Sequence, residues 1–371
     1  MKYRAKLFLT KDIYNLPGTD GIFVKAMKAN IAFHMRRCPE YRAVLENLKF
    51  DPDSLRCIED LHKLPPLPTS YLKNHTLLSK PYKRLIIKTT SSGTGGKKTL
   101  SGFDAGSGLC ALGMVRKVFR FHNLLSRKRT NYIILGYQPD KSNQTATAKA
   151  LKAATLLAPA KKTVYALGFR NGAYQINTDG IIAAIQKFGA QRNPVRIIGF
   201  PAYFKMFLSE LGERNIELEL NKDSKIMLGG GWKALFSEEV SKDELFYAAN
   251  RTLGIRRENF KDHFSTAEHP IDYLSCVNNH FHVPVFSRVI IRDVRTLEPA
   301  PIGTPGLLNL VTPLLSSAPY GSILTDDLAV MKDGCECGCG IPSPYFELIG
   351  RVGLASVRTC AQAASEYLDK I

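Results

Sequence analysis

Apolar runs with the pattern of strands alternate with amphipathic helix patterns through the middle of this chain, and this alternation restricts the fold more than any other feature. The strands are predicted at 132–135, 195–200 and 225–228, and the helices at 108–121, 145–157, 179–188 and 201–211. Strands that alternate with helices usually pair in parallel, and the helices cover the faces of the resulting sheet. The pattern therefore predicts an α/β fold with a largely parallel sheet.

The two ends of the chain have different patterns. Apolar residues recur at helical spacing across 21–48, with a break at Pro39, which predicts two helices. Strands at 288–293 and 306–311 are separated by Pro/Gly turns without a helix pattern, which predicts a smaller antiparallel β subdomain. We expect two regions, namely a helical N-terminal region with the α/β core (1–263) and the β-rich subdomain (264–371).

Composition and charge exclude several classes of protein. The 371 residues are 44% hydrophobic, which is enough for a buried core, and the formal net charge is +18. A positive surface can steer anionic ligands or an acidic protein partner, and an ordinary solvated basic surface is the alternative. No zinc-finger, RNA-recognition or helix-turn-helix signature accompanies the charge, so no nucleic acid is expected as a partner. No apolar run approaches the roughly 18 residues of a membrane span, and the apolar run near the start is too short for a secretory signal, so we expect a cytoplasmic protein.

A run rich in hydroxyls, glycines and lysines follows a short strand predicted at 84–88. Glycines in 89–99 let backbone N–H groups approach a polyphosphate, and the other side chains add donors and charge. It is not a Walker A loop, because Ser91 occupies the position of the first glycine in that motif. The run predicts a phosphate-binding loop, and a flexible turn with incidental lysines is the alternative.

This run resembles the first signature loop of the adenylate-forming enzymes, which include acyl-CoA synthetases and luciferases. Gly95 replaces a threonine of that loop, and the matching residues are Ser91, Ser92, Gly93, Thr94, Gly96 and Lys98. Segments that resemble the later signatures of the superfamily follow in order. They are Gly229-Gly230-Gly231-Trp232-Lys233, Phe264-Ser265-Thr266-Ala267-Glu268, Leu324-Thr325-Asp326-Asp327-Leu328 and Gly350-Arg351.

The resemblance implies a role for each of these segments. The three glycines 229–231 would let an adenine ring lie against the backbone. Glu268 would hold the Mg²⁺ that bridges the ATP phosphates, and Thr266 would contact phosphate. Asp327 would bind the ribose hydroxyls, and Arg351 would contact ribose or phosphate. Nucleotide binding would thus involve Ser91, Ser92, Gly93, Thr94, Gly95, Gly96, Gly229, Gly230, Gly231, Thr266, Asp327 and Arg351, with Lys98 and Lys233 as catalytic cations.

Within the superfamily, two features resemble LuxE-like acyl-protein synthetases. One is the Gly-Gly-Gly-Trp-Lys run, and the other is that this sequence ends soon after Arg351. Ordinary acyl-CoA ligases continue there with a domain that carries an adenylating lysine, and the resemblance implies that this domain is absent. It also implies ATP and Mg²⁺ as cofactors, a fatty-acid substrate and a fatty-acyl reductase (LuxC-like) protein partner. The acyl-acceptor cysteine of this family lies near the C-terminus, where Cys360 is found. A small buried cysteine on the final helix is the alternative for Cys360.

Eight cysteines in a chain without a secretion signal favour thiol or metal chemistry over a disulfide framework. Cys335, Cys337 and Cys339 alternate with other residues, and the last two resemble a Cys-x-Cys-Gly element of phenylacetate-CoA ligase-like enzymes. Those enzymes pair the element with an upstream Cys-x₅-His, which Cys276 and His282 match. Four such ligands suit a structural Zn²⁺, with Cys337 and Cys339 preferred although the choice among the three cysteines stays open. An iron–sulfur cluster is the less favoured alternative.

The resemblance therefore implies ATP-dependent activation of a long-chain fatty acid as an acyl-adenylate, transfer to an enzyme cysteine and delivery to the reductase. One alternative is a truncated acyl- or aryl-CoA ligase that delivers the acyl group to CoA or a carrier protein. A second is a non-catalytic nucleotide-binding subunit, because Gly95, Ser265 and Asp326 depart from the superfamily pattern.

Overall fold

A computed structural model describes residues 2–90, 100–139, 146–170, 173–232 and 239–352. The chain divides into two compact units. The first unit contains residues 1–118, 265–273 and 280–371, and the second contains 119–264 and 274–279. Among the described residues, no helix is both long and apolar enough to cross a membrane.

Helices and strands alternate along much of the described chain. The α-helices are α1 (Lys2–Phe8), α2 (Asp20–Arg37), α3 (Pro39–Asn47), α4 (Thr69–Asn74), α5 (Ala105–Phe121), α6 (Ala146–Ala154), α7 (Thr178–Gly189), α8 (Pro201–Glu213) and α9 (Lys242–Leu253). The strands are β1 (Leu67–Pro68), β2 (Ile87–Thr90), β3 (Leu100–Phe103), β4 (Thr130–Tyr137), β5 (Ala160–Arg170), β6 (Ala173–Ile176), β7 (Val195–Gly199), β8 (Lys225–Gly229), β9 (Phe260–Phe264), β10 (Tyr273–Leu274), β11 (Phe281–His282), β12 (Arg288–Arg292), β13 (Gly306–Val311), β14 (Ser322–Lys332) and β15 (Tyr345–Arg351). Short 3-10 helices lie at Pro17–Thr19, Pro52–Ser54, Glu59–Lys63, Tyr82–Arg84, Arg257–Asn259 and Gly334–Cys337.

A seven-stranded sheet forms the frame of the second unit, in the order β10-β9-β8-β7-β4-β5-β6. Strands β9, β8, β7, β4 and β5 pair in parallel, and β6 adds an antiparallel edge. The largely parallel sheet predicted from the alternation of strand and helix patterns is therefore confirmed. The β5–β6 hairpin was not predicted, because its outer strand is short and mostly exposed and carries no buried apolar run.

The helices of the second unit begin and end at residues suited to those positions. Pro201 occupies the first turn of α8, where its missing N–H costs no helical hydrogen bond. Ser241 and Glu244 form a reciprocal capping box at the start of α9, and Gly254 ends that helix in the left-handed conformation. The apolar faces of these helices pack on the sheet in one cluster, which includes Trp232.

The first unit contains an antiparallel sheet in the order β11-β15-β14-β13-β12, with β1 paired to β14 in parallel. The antiparallel pairing predicted from the strand patterns at 288–293 and 306–311 is confirmed by β12 and β13. Helices α2 and α3 confirm the two helices predicted across 21–48, and the break falls at Cys38 because Pro39 begins the second helix.

Buried polar groups in the first unit have specific partners. The Arg288 guanidinium donates to the Asp20 carboxylate at 2.6 Å and lies 4.4 Å from the centre of the Phe23 ring. His34 is 1% exposed, and its Nε2 donates to the Leu315 carbonyl oxygen at 3.1 Å. Its Nδ1 therefore accepts the hydroxyl hydrogen of Ser79, at 2.6 Å. Both ring nitrogens are satisfied in the neutral form.

Burial lowers the pKa of His34 to about 4, well below the value of a solvated histidine. The unfolded chain therefore binds more protons at this residue below about pH 6.5, and the folded protein loses stability as the pH falls toward 4. We expect His34 to reduce the free energy of unfolding by about 2 kcal/mol between pH 7 and pH 5. Chemical denaturation across this range should show a smaller pH dependence in His34→Gln than in the wild type. The partly exposed His62 supplies the control His62→Gln, and equal pH slopes for all three proteins would contradict this assignment.

Candidate active site

The hairpin of β2 and β3 lies on either side of the predicted phosphate-binding loop. Its register pairs Thr89 with Ser101 and Thr90 with Leu100, so the run 91–99 joins two antiparallel strands. The predicted nucleotide-binding residues Ser91, Ser92, Gly93, Thr94, Gly95 and Gly96, and the predicted catalytic Lys98, lie outside the described residues. A strand precedes the loop as predicted, but it begins at Ile87 rather than Arg84, because Tyr82–Arg84 form a 3-10 helix, and a second strand follows the loop.

Glu268, the predicted Mg²⁺ ligand, lies in a tight turn and is 6% exposed. The Thr266 Oγ1 accepts the backbone N–H of His269 at 2.9 Å, and the Thr266 N–H donates to the His269 carbonyl oxygen at 3.4 Å. The Thr266 hydroxyl therefore closes the turn, and its own hydrogen stays available for the phosphate contact predicted from the sequence. Ser101 of β3 donates its hydroxyl to the Ala267 carbonyl oxygen at 2.9 Å. This bond joins the hairpin to the residue that precedes Glu268.

His269 anchors the other end of this turn and is completely buried. Its Nε2 lies 3.0 Å from the Tyr273 hydroxyl and 3.2 Å from the Ser287 hydroxyl. The two hydroxyls lie 2.5 Å apart, and Ser287 also donates to the Val311 carbonyl oxygen of β13. Burial lowers the pKa of His269 to about 3, so its imidazole is neutral near pH 7. His269 therefore orients the turn and adds no charge beside Glu268.

Asp327 and Arg351, predicted from separate motifs, are direct cross-strand neighbours on β14 and β15. The Arg351 Nε lies 3.6 Å from an Asp327 carboxylate oxygen, and the Asp327 N–H donates to the Thr325 hydroxyl at 3.1 Å. The register shifts by one residue between Leu328 and Ala329, which indicates a β-bulge next to this pair. The structure thus brings together Asp327, the predicted ribose-binding residue, and Arg351, the predicted ribose or phosphate contact.

Burial raises the pKa of the Asp327 carboxyl, and the charge of Arg351 and the hydrogen bond from Thr325 act in the opposite direction. The neighbouring Asp326 has different partners, because Thr69 donates to its carboxylate at 3.5 Å and the Lys73 ammonium lies 3.9 Å away. The two carboxylates are therefore held by separate groups, and Asp327 is the one that faces Arg351.

The glycine segment predicted to lie against adenine follows β8 in the second unit. Gly230 has a φ of 83°, which residues with a side chain rarely adopt, so the chain turns here only because the residue is glycine. Within the described part of the chain and apart from its chain neighbours, no heavy atom lies within 4 Å of the position of a Cβ on Gly231. Gly229 is more tightly packed than Gly231, because a Cβ on Gly229 would lie 3.0 Å from the His263 carbonyl oxygen. Lys233, the predicted catalytic cation of this segment, lies outside the described residues.

Four side chains predicted as metal ligands lie in one cluster. The ligand atoms of Cys276, His282, Cys337 and Cys339 are all within 4.8 Å of one another. The His282 Nδ1 donates to the Ser343 carbonyl oxygen at 2.7 Å, which leaves the Nε2 lone pair free for a metal, 3.2 Å from the Cys339 sulfur. A set of three cysteine thiolates and one histidine imidazole fits Zn²⁺.

The backbone around these cysteines is shaped by glycine. Gly338 and Gly340 have φ values of 69° and 85°, a left-handed conformation that glycine adopts readily, and Gly338 ends the 3-10 helix Gly334–Cys337. Cys335 is exposed, its N–H donates to Asp333, and it is not part of the cluster. Cys360, the predicted acyl acceptor, lies outside the described residues.

Three residues of these sites were not identified from the sequence. Ser101 lies on a short strand after the glycine-rich run, where no motif distinguishes it from any other strand serine. His280 belongs to none of the sequence motifs, yet its Nδ1 lies 3.1 Å from the Cys337 sulfur and its Nε2 lies 3.5 Å from the Glu347 carboxylate. Ser343 contributes its backbone carbonyl oxygen, which every residue has, so the sequence does not single it out.

Comparison with known proteins identifies a family for most of the chain. Residues 14–369 match the family described as acyl-protein synthetase, LuxE. The long-chain-fatty-acid–luciferin-component ligase of Vibrio harveyi is 24% identical over 345 residues, which cover 92% of this chain and 87% of that protein. The ligase of the same name from Aliivibrio fischeri is 24% identical over 354 residues, which cover 93% of this chain and 88% of that protein.

Solved structures of adenylate-forming ligases share the fold. A 2-hydroxyisobutyryl-CoA ligase in complex with its acyl-AMP superposes with a TM-score of 0.69 at 15% identity, over 97% of this chain and 74% of that chain. An open conformation of a ligase with that name, bound to 2-HIB-AMP and CoA, gives a TM-score of 0.68 at 15% identity and covers 92% of this chain and 72% of that chain. These matches confirm the predicted adenylate-forming α/β fold. Together with the family match, they show that this chain is an enzyme of the acyl-protein synthetase family, LuxE.

Proposed function

We propose that this enzyme activates a long-chain fatty acid with ATP, captures the acyl group on Cys360 and delivers it to a fatty-acyl reductase. In the first step, a fatty-acid carboxylate oxygen attacks the α-phosphorus of ATP and pyrophosphate leaves, which gives the acyl-adenylate. In the second step, the Cys360 thiolate attacks the acyl carbonyl and AMP leaves. Thiolate is a suitable nucleophile for a mixed anhydride, and Arg358, two residues before Cys360 in the sequence, would favour that form.

The residues of the first unit suit the first step. Asp327 would accept hydrogen bonds from the ribose hydroxyls, and Arg351 opposite it would place a positive charge at the nucleotide. Glu268, held in its turn by Thr266, would bind Mg²⁺, which neutralises charge on the departing pyrophosphate. Lys98 and the hydroxyls of 91–94 would stabilise the transferring phosphoryl group from the run that joins β2 to β3. In the second unit, the backbone of Gly229–Gly231 would lie against an adenine ring, and Lys233 would act as a further cation.

The pairing of Asp327 with Arg351 is the observation that supports this proposal most strongly. Two residues taken from separate motifs are cross-strand partners with their charged atoms 3.6 Å apart. If the two motif matches were accidental, their residues would not be expected to lie opposite each other on neighbouring strands. Support for the substrate class comes from the relatives, which are named as ligases of a long-chain fatty acid and a luciferin component. The formal net charge of +18 suits an acidic protein partner.

Intact-mass measurement tests acyl capture. The wild-type protein is incubated with Mg-ATP and either tetradecanoate or hexadecanoate, and we expect one acyl group per chain that hydroxylamine removes, as it does from thioesters. Cys360→Ser should lose this stable acylation because the nucleophile is gone, while fatty-acid-dependent release of pyrophosphate continues. The exposed Cys57 provides the matched control Cys57→Ser, which should acylate like the wild type.

Two results would contradict the acceptor assignment. One is unchanged acylation of Cys360→Ser, which would place the acyl group on another residue. The other is an acyl group that appears only on added CoA, which would favour an acyl-CoA ligase.

We also propose that Cys276, His282, Cys337 and Cys339 hold a structural Zn²⁺. A metal with four protein ligands has no open position for a substrate, which suits a structural role. The Ser343 carbonyl fixes the ring of His282. His280 lies between the Cys337 sulfur and the Glu347 carboxylate, as an outer partner of a metal-bound thiolate would.

Elemental analysis of the purified protein tests the zinc site. We expect about one zinc per chain in the wild type, and a strong loss of zinc together with a lower melting temperature in Cys339→Ser, since one of four ligands is removed. Cys335→Ser is the matched control four residues upstream and should keep its zinc, because Cys335 is exposed and outside the cluster. Equal zinc in both variants, or none in the wild type, would refute the site.

A further inference from the structure

Ser101 is the residue of the β2–β3 hairpin that reaches the Glu268 turn. Its side chain is 1% exposed, and its hydroxyl donates to the Ala267 carbonyl oxygen at 2.9 Å. The carbon of that carbonyl is bonded to the Glu268 nitrogen, and the peptide between them is planar. The hydrogen bond therefore fixes the peptide plane from which the Glu268 side chain extends.

The turn has other anchors, and they come from a different part of the chain. Thr266 closes the turn from within by accepting the His269 N–H at 2.9 Å. His269 fixes its far end through the hydroxyls of Tyr273 and Ser287. Ser101 supplies the anchor at the middle of the turn, and it does so from the strand that follows the run 91–99.

We propose that Ser101 is a positioning residue for metal binding in adenylate formation, because it holds the Glu268 carboxylate in place from the hairpin that carries the phosphate-binding run. This inference rests on the proposed role of Glu268 as the Mg²⁺ ligand. Mg²⁺ tolerates little departure from octahedral geometry and is usually held by only one or two carboxylates besides phosphate oxygens. A small displacement of Glu268 therefore weakens the site, even though Ser101 touches neither metal nor nucleotide.

The Mg²⁺ dependence of fatty-acid-dependent pyrophosphate–ATP exchange tests this inference. We expect Ser101→Ala to raise the half-saturating Mg²⁺ concentration by roughly 10- to 100-fold, the range seen when an outer partner of a metal ligand is removed. The exchange rate at saturating Mg²⁺ should change much less, because the metal then fills the weakened site. Ser101→Thr keeps the hydroxyl and should restore a dependence close to that of the wild type.

Tyr132→Phe is the matched control. It also removes one buried hydroxyl that donates to a backbone carbonyl, that of Ala158 at 3.0 Å, but on β4 of the other unit. This variant should keep the wild-type Mg²⁺ dependence even where its melting temperature falls. Should Ser101→Ala not fold, Ser101→Cys retains a weak donor and should show an intermediate shift.

The outcomes separate this inference from the function on which it rests. Suppose that Ser101→Ala lowers the melting temperature but leaves the half-saturating Mg²⁺ concentration unchanged. Ser101 would then have only a structural role, and the inference would be overturned. A wild-type protein without exchange at any Mg²⁺ concentration would instead overturn the proposed function, and this inference with it.

Discussion

The register of β14 against β15 is the constraint on which the candidate site of the first unit depends. From Ala329 to Lys332 the two strands pair in one register, and at Asp327 and Leu328 the register has moved by one residue. Continued without this shift, the first register would place Asp327 opposite Gly350 instead of Arg351. Because successive side chains of a strand point to opposite faces, a slip of one residue would also move Arg351 to the other face. The bulge therefore places Asp327 opposite Arg351, and we assign this pair to the nucleotide.

The second requirement is a fixed carboxylate. Glu268 lies in a turn that is held by hydrogen bonds of Thr266, His269 and Ser101. Burial keeps His269 neutral, so the imidazole orients the turn without competing with a metal ion for the carboxylate. Hydrogen bonds that involve backbone atoms of the turn thus contribute to its positioning.

Much of the fold could be predicted from the sequence, because its signals are local. Helices α2, α3, α5, α7 and α8 and strands β4, β7, β8, β12 and β13 have the apolar periodicity, prolines and caps that indicate them. The β5–β6 hairpin could not be predicted in this way, because its outer strand has no buried face. The bulge between Leu328 and Ala329 could not be predicted either, since it depends on how two distant strands pair.

The same difference between local signals and long-range contacts applies to the candidate sites. Asp327, Arg351 and Glu268 could be proposed because each lies in a segment that resembles a motif, whereas the pairing of Asp327 with Arg351 required the structure. Ser101 and the Ser343 carbonyl could not be proposed, because neither lies in a recognisable motif. Ser101 bonds to a backbone carbonyl of a distant segment, and Ser343 accepts through its own backbone carbonyl. The choice of Cys337 and Cys339 over Cys335 was left open by spacing, and the cluster contains the first two.

The central claim is that this chain forms an acyl-adenylate. The most direct test is the exchange of labelled pyrophosphate into ATP by the wild-type protein, measured with Mg²⁺ in the presence and absence of hexadecanoate. The account predicts exchange that requires the fatty acid, because pyrophosphate can re-form ATP only from the acyl-adenylate. ATP binding without any fatty-acid-dependent exchange would contradict it and would favour a nucleotide-binding subunit that does not catalyse the reaction.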